Sequence, residues 1–391
     1  MRAGVTLVGV DLTAAEVLAL RMASLLLGAH PGHTAGDGRP ADVAGVVTWF
    51  GAMQAQDAAS VAWSLGVRLP GLTAAGVQAA LEDRQALRTW PMRGTVHLVP
   101  PRDARWMLEV MGSHALARAG ARRAYLGLDD EVADRAVEVL GAALAGGGRL
   151  TRAQCLAVLA EAGISTAGQR GYHLLWYASQ RGVTCIAPNV GTEQTFALLD
   201  EWAPDPHRPE REEALATIAL RYFRSHGPTT RQDFAGWTGL PAADAKRAIA
   251  VAGDGLATVT VGGVDMHLDP ALLDGAFTGQ PHDAALGRRG RPEVLALPGF
   301  DEYLLGFKDR SLMVATEHKQ AIIPGGNGVF QPTIVRDGRV IATWKRSPAK
   351  RRTVVEVRPL VRIGGPHRAP VQDALESYAR FTGWPLQVRW P

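Results

Sequence analysis

The chain has 391 residues, of which 47% are apolar and 20% are charged, so it can bury a substantial core and divide into several domains. Its 44 glycines and 24 prolines follow no G-X-Y period, which excludes a collagen-like protein, and no uncharged apolar run approaches the ~20 residues that cross a bilayer. Forty-two Lys and Arg residues against 38 Asp and Glu give a formal charge of +4, which is compatible with a polyanionic partner without requiring one.

The N-terminal residues and the cysteines bear on location and cofactors. Asp11, Glu16 and Arg21 interrupt the apolar residues near the N-terminus before a signal-peptide core forms, so we expect a cytoplasmic protein with no membrane partner. Cys155 and Cys185 are too few for a disulfide framework and lack zinc-binding spacing. We therefore expect reduced cysteines, no metal and no cofactor, and a monomer.

Three segments share a pattern that starts helices, in which a Thr is followed three residues later by an acidic or amide side chain. They are Thr13 with Glu16, Thr151 with Gln154, and Thr230 with Asp233. After each start come a short apolar helix, a Gly-containing turn, a second helix and extended segments, least regularly in the first. This order is typical of a winged helix, so the sequence predicts three such units in tandem.

The predicted elements divide the chain into four units, the first three ending at residues 128, 204 and 290. Unit 1–128 has helices at 14–27, 42–53 and 73–83, a strand-like stretch at 87–99, and part of a connecting helical region at 102–144. Unit 129–204 has helices at 153–160 and 169–180 and two strands within 183–199 around Pro188-Asn189. Unit 205–290 has helices at 232–237 and 242–252 and a hairpin at 257–268 turning at Gly262-Gly263.

The last unit, residues 291–391, is rich in short β-favouring runs and predicts a small barrel or curled sheet. Turns are expected at Gly325-Gly326 and Asp337-Gly338, and a helix at 370–382 and a strand at 386–390 end the chain. The predicted fold class is therefore α+β, with three tandem winged-helix motifs followed by a C-terminal β-barrel-like element. The strands are expected at 294–297, 311–316, 322–323, 329–335, 340–344 and 353–363.

Basic residues cluster in two late segments, and a solvated surface explains such clusters about as well as a phosphate-binding surface does. One cluster contains Arg288, Arg289 and Arg291, and the other contains Lys345, Arg346, Lys350, Arg351 and Arg352.

The common catalytic signatures are missing from the sequence. It has no G-x-x-x-x-G-K-[ST], no G-x-G-x-x-G after a strand, no G-x-S-x-G and no H-E-x-x-H. This disfavours the usual ATPases, dehydrogenases, hydrolases and zinc peptidases.

The segment Gln54-Ala55-Gln56-Asp57 places two amides where one helix should end and the next begin. In an extended connector, side chains at i and i+2 point the same way. Asp57 fits as the N-cap of a helix at 58–65, which leaves both glutamines facing outward. Taken alone, ordinary solvent-facing glutamines explain this segment.

Three segments together resemble the bacterial winged-helix DNA glycosylases, the family typified by the azinomycin-resistance glycosylase AlkZ. They are Gln54-Ala55-Gln56-Asp57, the stretch RTWPMRGTVH at 88–97, and LPGFDEYLLGFKDR at 297–310. The resemblance spans essentially the whole chain, including GVF at 328–330 and TWKR at 343–346.

The resemblance implies a fold of three winged helices and a barrel-like element around DNA, and cleavage of the glycosidic bond of N7-alkylated purines in duplex DNA. Some members also unhook interstrand crosslinks. The family's catalytic glutamine, hydrophobic residue, glutamine motif carries over onto Gln54, Ala55 and Gln56. A related branch has an acid at the second position, so Gln56 places this chain with the di-glutamine branch.

The chemistry can be argued from the substrate. Alkylation at N7 leaves the purine cationic, so it departs as a neutral base while the sugar becomes oxocarbenium-like. A side chain that holds water near C1′ can then suffice, and Gln54 and Gln56 are the candidates for orienting that water. Asp57 is the alternative, as a carboxylate that stabilises the oxocarbenium ion, although the capping role is preferred.

Several other residues are candidates for binding DNA. Arg93, Thr95 and His97 alternate along a predicted strand and would share one face, where they could meet a phosphate or the lesion. Alternatively, Arg93 pairs with a carboxylate such as Glu82 or Asp83, and His97 is a half-buried structural residue. Lys308, Arg310, Lys345 and Arg346 are candidates for phosphate contacts, whereas Asp301 and Glu302 are as consistent with an internal ion pair as with a site.

The preferred function is a monofunctional DNA-repair glycosylase that uses water and no enzyme amine. A DNA-binding regulator, or a resistance protein that holds damaged DNA without cleaving it, is the second interpretation, because winged helices serve that role more often. A weakly basic scaffold protein is the third. Formation of abasic sites in alkylated DNA would indicate the first interpretation, and sequence-selective binding to undamaged duplex would favour the second. A protein that does not retain DNA at moderate salt would favour the third.

Overall fold

The computed structural model describes residues 11–27, 39–276, 294–347 and 352–391. The predicted basic residues Arg288, Arg289, Arg291, Lys350 and Arg351 lie outside these ranges.

Side-chain caps set the starts of the helices in the N-terminal part of the chain. Thr13 forms a complete capping box with Glu16, as predicted, while Asp42, Asp57 and Thr73 each accept a hydrogen bond from the first turn of the helix that follows. The elements are α1 (Ala14–Ser24), α2 (Val43–Phe50), β1 (Met53–Gln54), α3 (Ala58–Arg68), α4 (Ala74–Glu82), β2 (Leu87–Met92) and β3 (Thr95–Val99).

A helical region connects this part to the next group of strands. Its segments are α5 (Ala104–Met107), α6 (Ser113–Ala117), α7 (Gly120–Tyr125) and α8 (Asp130–Leu144), with a π-helical turn at Leu108–Gly112. The elements that follow are β4 (Leu150–Thr151), α9 (Arg152–Glu161), α10 (Arg170–Gln180), β5 (Thr184–Val190), β6 (Glu193–Leu198) and α11 (Leu199–Trp202).

The hairpin between β5 and β6 turns later than expected. Val190 pairs with Glu193, so the turn lies at Gly191-Thr192, and Pro188-Asn189 belongs to β5. The pairing register shifts between Ala187 and Val190, and such an irregularity accommodates a proline that has no N–H to donate.

Strands from the first two predicted units join in one six-stranded sheet of order β1-β3-β2-β5-β6-β4. The junction is the pairing of β2 with β5, where Arg88 lies opposite Ile186. β1 lies at one edge of this sheet. Gln54 is the second residue of β1, and Gln56 follows two residues later in the connector to α3.

The next helices pack around one long central helix. α12 (Arg211–His226) contacts both α2 and α14 (Ala242–Ala252). Its C-terminal residues Ser225 and His226 are buried. Thr230 forms the expected capping box with Asp233, and the hairpin turns at Gly262-Gly263 as predicted. The remaining elements here are α13 (Arg231–Thr238), α14 (Ala242–Ala252), β7 (Ala257–Val261), β8 (Val264–Leu268) and α15 (Ala271–Ala276).

The C-terminal part is a mixed five-stranded sheet. From one edge to the other its strands are β13 (Leu386–Arg389), β12 (Thr353–Pro359), β11 (Arg339–Ser347), β10 (Thr333–Arg336) and β9 (Val294–Leu297), and of these described strands only β12 and β13 pair in parallel. Because this order has two ends, the described strands form a curled sheet and not a closed barrel. The elements are β9 (Val294–Leu297), α16 (Glu302–Leu305), α17 (Lys319–Ile322), β10 (Thr333–Arg336), β11 (Arg339–Ser347), β12 (Thr353–Pro359), α18 (Gly365–Thr382) and β13 (Leu386–Arg389).

Two of the predicted C-terminal strands are wrong. Residues 311–316 form turns that lead into a 3₁₀ turn at Thr316–His318, and Ile322 ends α17. Both segments are short apolar runs, which local pattern alone cannot separate from buried helical turns.

The α+β class is confirmed, whereas the number of winged-helix units and the boundaries between them stay predictions. None of the helices in the described ranges is long and apolar enough to span a bilayer. Cys155 and Cys185 are buried and free.

Candidate catalytic site

The segment that carries the two glutamines is an edge of the six-stranded sheet. Helix α2 ends at Gly51, whose φ of 78° is readily adopted only by glycine, and the chain then enters β1 beside β3. Met53 and Ala55 are buried, while Gln54 is half-buried and Gln56 is exposed. The apolar residues therefore anchor the connector, whereas Gln54 lies beside buried His97 and Gln56 is exposed.

The side chain of Gln56 is part of the β-ladder. The backbone N–H of Ala55 donates to the Val96 carbonyl at 2.8 Å, and the N–H of Val96 donates to Gln56 Oε1 at 3.2 Å. Since the carbonyl end of the Gln56 amide is held in this way, its amino group is the end available to a ligand.

Gln54 is held through its main chain instead. Its backbone N–H donates to Glu302 Oε1 at 3.0 Å. Its side-chain carbonyl oxygen is buried and accepts no hydrogen bond within the described part of the chain. Such an acceptor has unused capacity, and a rotation of the terminal amide would exchange its carbonyl and amino ends.

Asp57 caps α3, which is the preferred role expected from the sequence. Its Oδ1 accepts from the N–H of Ser60 at 2.6 Å, and the side chain lies on the exposed surface. The carboxylate is therefore occupied by the first turn of the helix.

Glu302, for which the sequence left both an internal ion pair and a site open, is buried directly behind β1. Its Oε2 accepts from the indole N–H of Trp237 at 2.9 Å and lies 3.3 Å from Nε2 of His226. Burial by itself would raise the pKa of this carboxyl, but the hydrogen bonds from His226, Gln54 and Trp237 lower it to about 2. An acid within the otherwise apolar run 302–305 is the sequence signal for such a buried, partnered group.

Arg93 does not lie on a strand as expected. Arg93 and Gly94 form the two-residue turn between β2 and β3, with φ values of 55° and 70°. The Arg93 side chain turns back toward buried His97, and burial lowers the pKa of its guanidinium. Its Nη2 donates to Nε2 of His97 at 3.2 Å. The expected pairing with Glu82 is wrong, because Arg149 holds that carboxylate at 2.7 Å.

His97 is fully buried, not half-buried, and lies beside both Gln54 and Arg93. It pairs directly with Gln54 across β1 and β3, and its Nδ1 donates to the Thr95 carbonyl at 2.9 Å. Burial, followed by the charge of Arg93, lowers the pKa of His97 to about 3. The imidazole is therefore neutral near pH 7, and its Nε2 accepts from Arg93.

The side chains of Gln54, His97 and Thr89 lie next to one another on one face of the sheet, because they are register partners across β1, β3 and β2. The hydroxyl of Thr95, two residues before His97 on the same strand, is buried without a partner among the described residues. The sheet thus brings together five of the predicted site residues: Gln54, Gln56, Arg93, Thr95 and His97.

The other basic candidates lie on the C-terminal part. Lys345 and Arg346 are exposed neighbours on β11, and Lys308 is exposed in the loop after α16. Arg310 is only partly exposed, because its Nε donates to the Leu304 carbonyl at 2.6 Å and its guanidinium lies 4.9 Å from the centre of the Phe330 ring. Arg310 is therefore largely committed to contacts within the protein.

Asp301 forms the internal ion pair that was one of its two interpretations. Nη1 and Nη2 of Arg68 donate to its two carboxylate oxygens at 2.8 and 2.9 Å, and Ser64 donates to Oδ2 at 2.6 Å. Both charged side chains are almost fully buried. This pair connects α3 to the start of α16 and so fixes the segment that carries Glu302.

Comparisons with known proteins agree with one another. A family model described as DNA glycosylase AlkZ-like matches residues 47–381. An interstrand DNA cross-link repair glycosylase from Streptomyces sahachiroi is 27% identical over 286 residues, which cover 69% of this chain and 72% of that protein. The solved structure of the Streptomyces sahachiroi DNA glycosylase AlkZ has a TM-score of 0.77, at 24% identity, and the match covers 97% of this chain and 100% of that one.

Proposed function

Because the chain belongs to the AlkZ-like DNA glycosylase family, we propose that it hydrolyses the N-glycosidic bond of N7-alkylated purines in DNA, with Gln54 and Gln56 positioning the water. The relative from Streptomyces sahachiroi is an interstrand cross-link repair glycosylase, and we extend the proposal to the unhooking of crosslinks formed through such purines. Water and not an amine is the nucleophile, so the enzyme is monofunctional and its product is an abasic site. We place this activity in the cytoplasm and in a monomer.

The substrate needs little help from the protein to lose its base. A purine alkylated at N7 already carries positive charge, so it leaves as a neutral molecule, and charge builds up on the sugar instead. The remaining tasks are to hold a water molecule near C1′ and to orient its lone pair, and positioning of this kind can supply several kcal/mol. An amide is sufficient for these tasks, although it is too weak a base for an unmodified purine.

The two glutamines are suited to different halves of the task. Gln54 has a carbonyl oxygen that accepts nothing from the described protein, so it can accept a proton of the water. Gln56 uses its carbonyl for Val96, so its amino group can donate to the oxygen of the water. A water held by one donor and one acceptor keeps a lone pair for attack on the sugar.

Two groups of cations and polar residues would hold the DNA around these amides. The first group is Arg93 in the β2–β3 turn, together with His97, which accepts a hydrogen bond from it, and Thr95. The second group is exposed Lys308 and whichever of the β11 neighbours Lys345 and Arg346 faces the DNA, and these are proposed to contact phosphates. Arg310 is proposed to contribute to the smaller extent that its internal contacts allow. In this arrangement the units 1–128, 129–204 and 205–290 would act as three winged helices and 291–391 as the fourth domain.

The observation that most supports the proposal is that a connector anchored by buried Met53 and Ala55 leaves the Gln54 side-chain carbonyl without a hydrogen bond in the described protein, while the Gln56 amide is fixed by the bond from the Val96 N–H. The test is release of 7-methylguanine from alkylated DNA by the Gln54→Ala/Gln56→Ala variant, which we expect to be abolished while DNA binding is retained. The matched control is Gln372→Ala, a glutamine on the exposed side of α18. Release at the wild-type rate by the double variant would exclude the assignment.

Treatment of the product distinguishes the alternatives. Heat or alkali cleaves DNA at abasic sites, so cleavage only after this treatment supports a monofunctional glycosylase. Retention of alkylated DNA without abasic sites would instead support a protein that binds damage without repairing it.

A further inference from the structure

We propose that Glu302 is a positioning residue for catalysis, which holds the main chain of Gln54 so that its amide stays aimed at the reacting sugar. This inference rests on the proposed function of Gln54 and adds a residue from a distant part of the chain.

The contact is made where β1 has no neighbouring strand. In an antiparallel pair, the N–H groups of successive residues point to opposite sides, and Ala55 N–H already points to β3. The Gln54 N–H therefore points away from β3, where Glu302 Oε1 accepts it at 3.0 Å. The carboxylate replaces the carbonyl that another strand would provide, and it prevents a two-residue edge strand from shifting.

Glu302 itself has little freedom to move. Glu302 is 1% exposed. Its Oε2 accepts a hydrogen bond from the indole N–H of Trp237 in α13 and lies beside the imidazole of His226 at the end of α12. Gly306, at the end of the same short helix, is so close to His226 that an added Cβ would lie 2.1 Å from the imidazole Cδ2. Gln54 is thus tied through one carboxylate to two separate parts of the core.

Both carboxylate oxygens accept from donors, which distinguishes Glu from Gln at this position. The pKa of about 2 means that the group is ionised at neutral pH. A carboxamide has one acceptor and one donor end, so in Glu302→Gln an N–H₂ group must face either the Gln54 N–H or the indole N–H. We expect the carbonyl of this carboxamide to turn toward Trp237 and His226, because two donors are there. The N–H₂ group will then face the Gln54 N–H, which loses its acceptor.

The primary experiment measures single-turnover release of 7-methylguanine with enzyme in excess, together with the Kd for the same alkylated duplex. We expect Glu302→Gln to lower the rate on the order of 10- to 100-fold, with the Kd unchanged, because misplacement of a catalytic group costs that much. Asp103→Asn is the matched control, since Asp103 is also buried, accepts from an indole at 2.9 Å and pairs with Arg221 at 2.6 Å, and its side chain makes no hydrogen bond to β1 within the described residues. It should lose thermal stability and keep its rate.

A double-mutant cycle separates positioning from a general structural effect. If Glu302 acts through Gln54, adding Glu302→Gln to Gln54→Ala should leave the rate of Gln54→Ala unchanged. A further fall in the double variant, or a wild-type rate for Glu302→Gln alone, would overturn the inference. A wild-type rate for Gln54→Ala would instead overturn the proposed function.

If Glu302→Gln does not fold, Trp237→Phe takes its place in the same cycle. It removes the indole donor from Oε2 and keeps the carboxylate, so the Gln54 contact should loosen and the rate should fall severalfold. A wild-type rate for folded Trp237→Phe would then overturn the inference.

Discussion

The side-chain carbonyl of Gln56 accepts a hydrogen bond from the backbone N–H of Val96 at 3.2 Å, at the point where the β1 backbone stops pairing with β3. A catalytic candidate is in this way also a structural member of the sheet. Its amide plane is fixed before any ligand arrives, and preorganisation of this kind reduces the cost of orienting a water.

Replacement of Gln56 should show a graded effect on catalysis. Gln56→Glu keeps an acceptor for the Val96 N–H but has no N–H to donate, whereas Gln56→Ala loses both. We expect single-turnover release of 7-methylguanine to be slower in Gln56→Glu than in wild type by about tenfold, equivalent to ~1.4 kcal/mol, and slower again in Gln56→Ala. The control is Gln372→Glu, which makes the same change of charge at an exposed position of α18 and should match the wild-type rate. Equal rates for Gln56→Glu and Gln56→Ala would contradict a role for the hydrogen bond from Val96.

Buried His97 should make the fold sensitive to mild acid. The pKa of His97 is about 3 in the folded protein, below the ordinary value of 6.5. Between these two pH values His97 is therefore protonated in the unfolded chain and neutral in the folded protein. The contribution of His97 to the free energy of unfolding is therefore fully present above about pH 6.5. As the pH falls from there toward 3, this one proton lowers the free energy of unfolding by about 1.4 kcal/mol per pH unit.

The measurement is urea unfolding at several pH values between about 7 and 5. His173 and His267 also have pKa values lowered by burial, so the comparison is with His97→Gln, whose carbonyl can still accept from Arg93. We expect the variant to lose stability less steeply on acidification. Parallel curves for the two proteins would show that His97 does not contribute.

The buried pair of Arg68 and Asp301 should be costly to break. Asp301→Asn leaves the Arg68 guanidinium, whose side chain has no exposed surface, without a compensating charge, so we expect a loss of about 3–5 kcal/mol in the free energy of unfolding. Glu356→Gln removes the partner of Arg358, whose side chain is 63% exposed, and should change stability little. Denaturant unfolding of both variants checks this, and equal effects would contradict it.

Lys345 and Arg346 should contribute unequally to DNA binding. They are successive residues of β11, so their side chains leave opposite faces of the sheet, and a DNA backbone lying along one face meets one of them. We expect one single alanine variant to reduce the slope of log K against log salt by about one, and the other to leave it unchanged. Arg310→Ala should mainly lower stability, and equal slopes for Lys345→Ala and Arg346→Ala would contradict the expectation.

Local features of the sequence were predicted well because they depend on near neighbours. The three capping boxes join residues three apart, and the turns at Gly262-Gly263 and Asp337-Gly338 need only residues that tolerate positive φ. The Asp57 cap followed from the same local logic, and it placed the glutamines on a connector between two helices.

Features that depend on distant partners were predicted poorly. Pro188-Asn189 looked like a turn, but an irregular pairing of β5 with β6 keeps both residues within the strand. The apolar residues at 311–316 looked like a strand, but they form turns that join the described C-terminal sheet only through a hydrogen bond from the Val340 N–H to the Met313 carbonyl at 2.9 Å.

The amino-acid sequence by itself determined where several helices begin, where two of the hairpins turn and that two glutamines lie on a link between helices, because short-range sterics and capping decide these features. Only the tertiary structure decided what holds those amides. Glu302 reaches Gln54 across 248 positions of the chain, and it does so because a buried carboxylate must find donors and an edge N–H must find an acceptor. No local pattern contains that match, since it arises when separate parts of the core pack together.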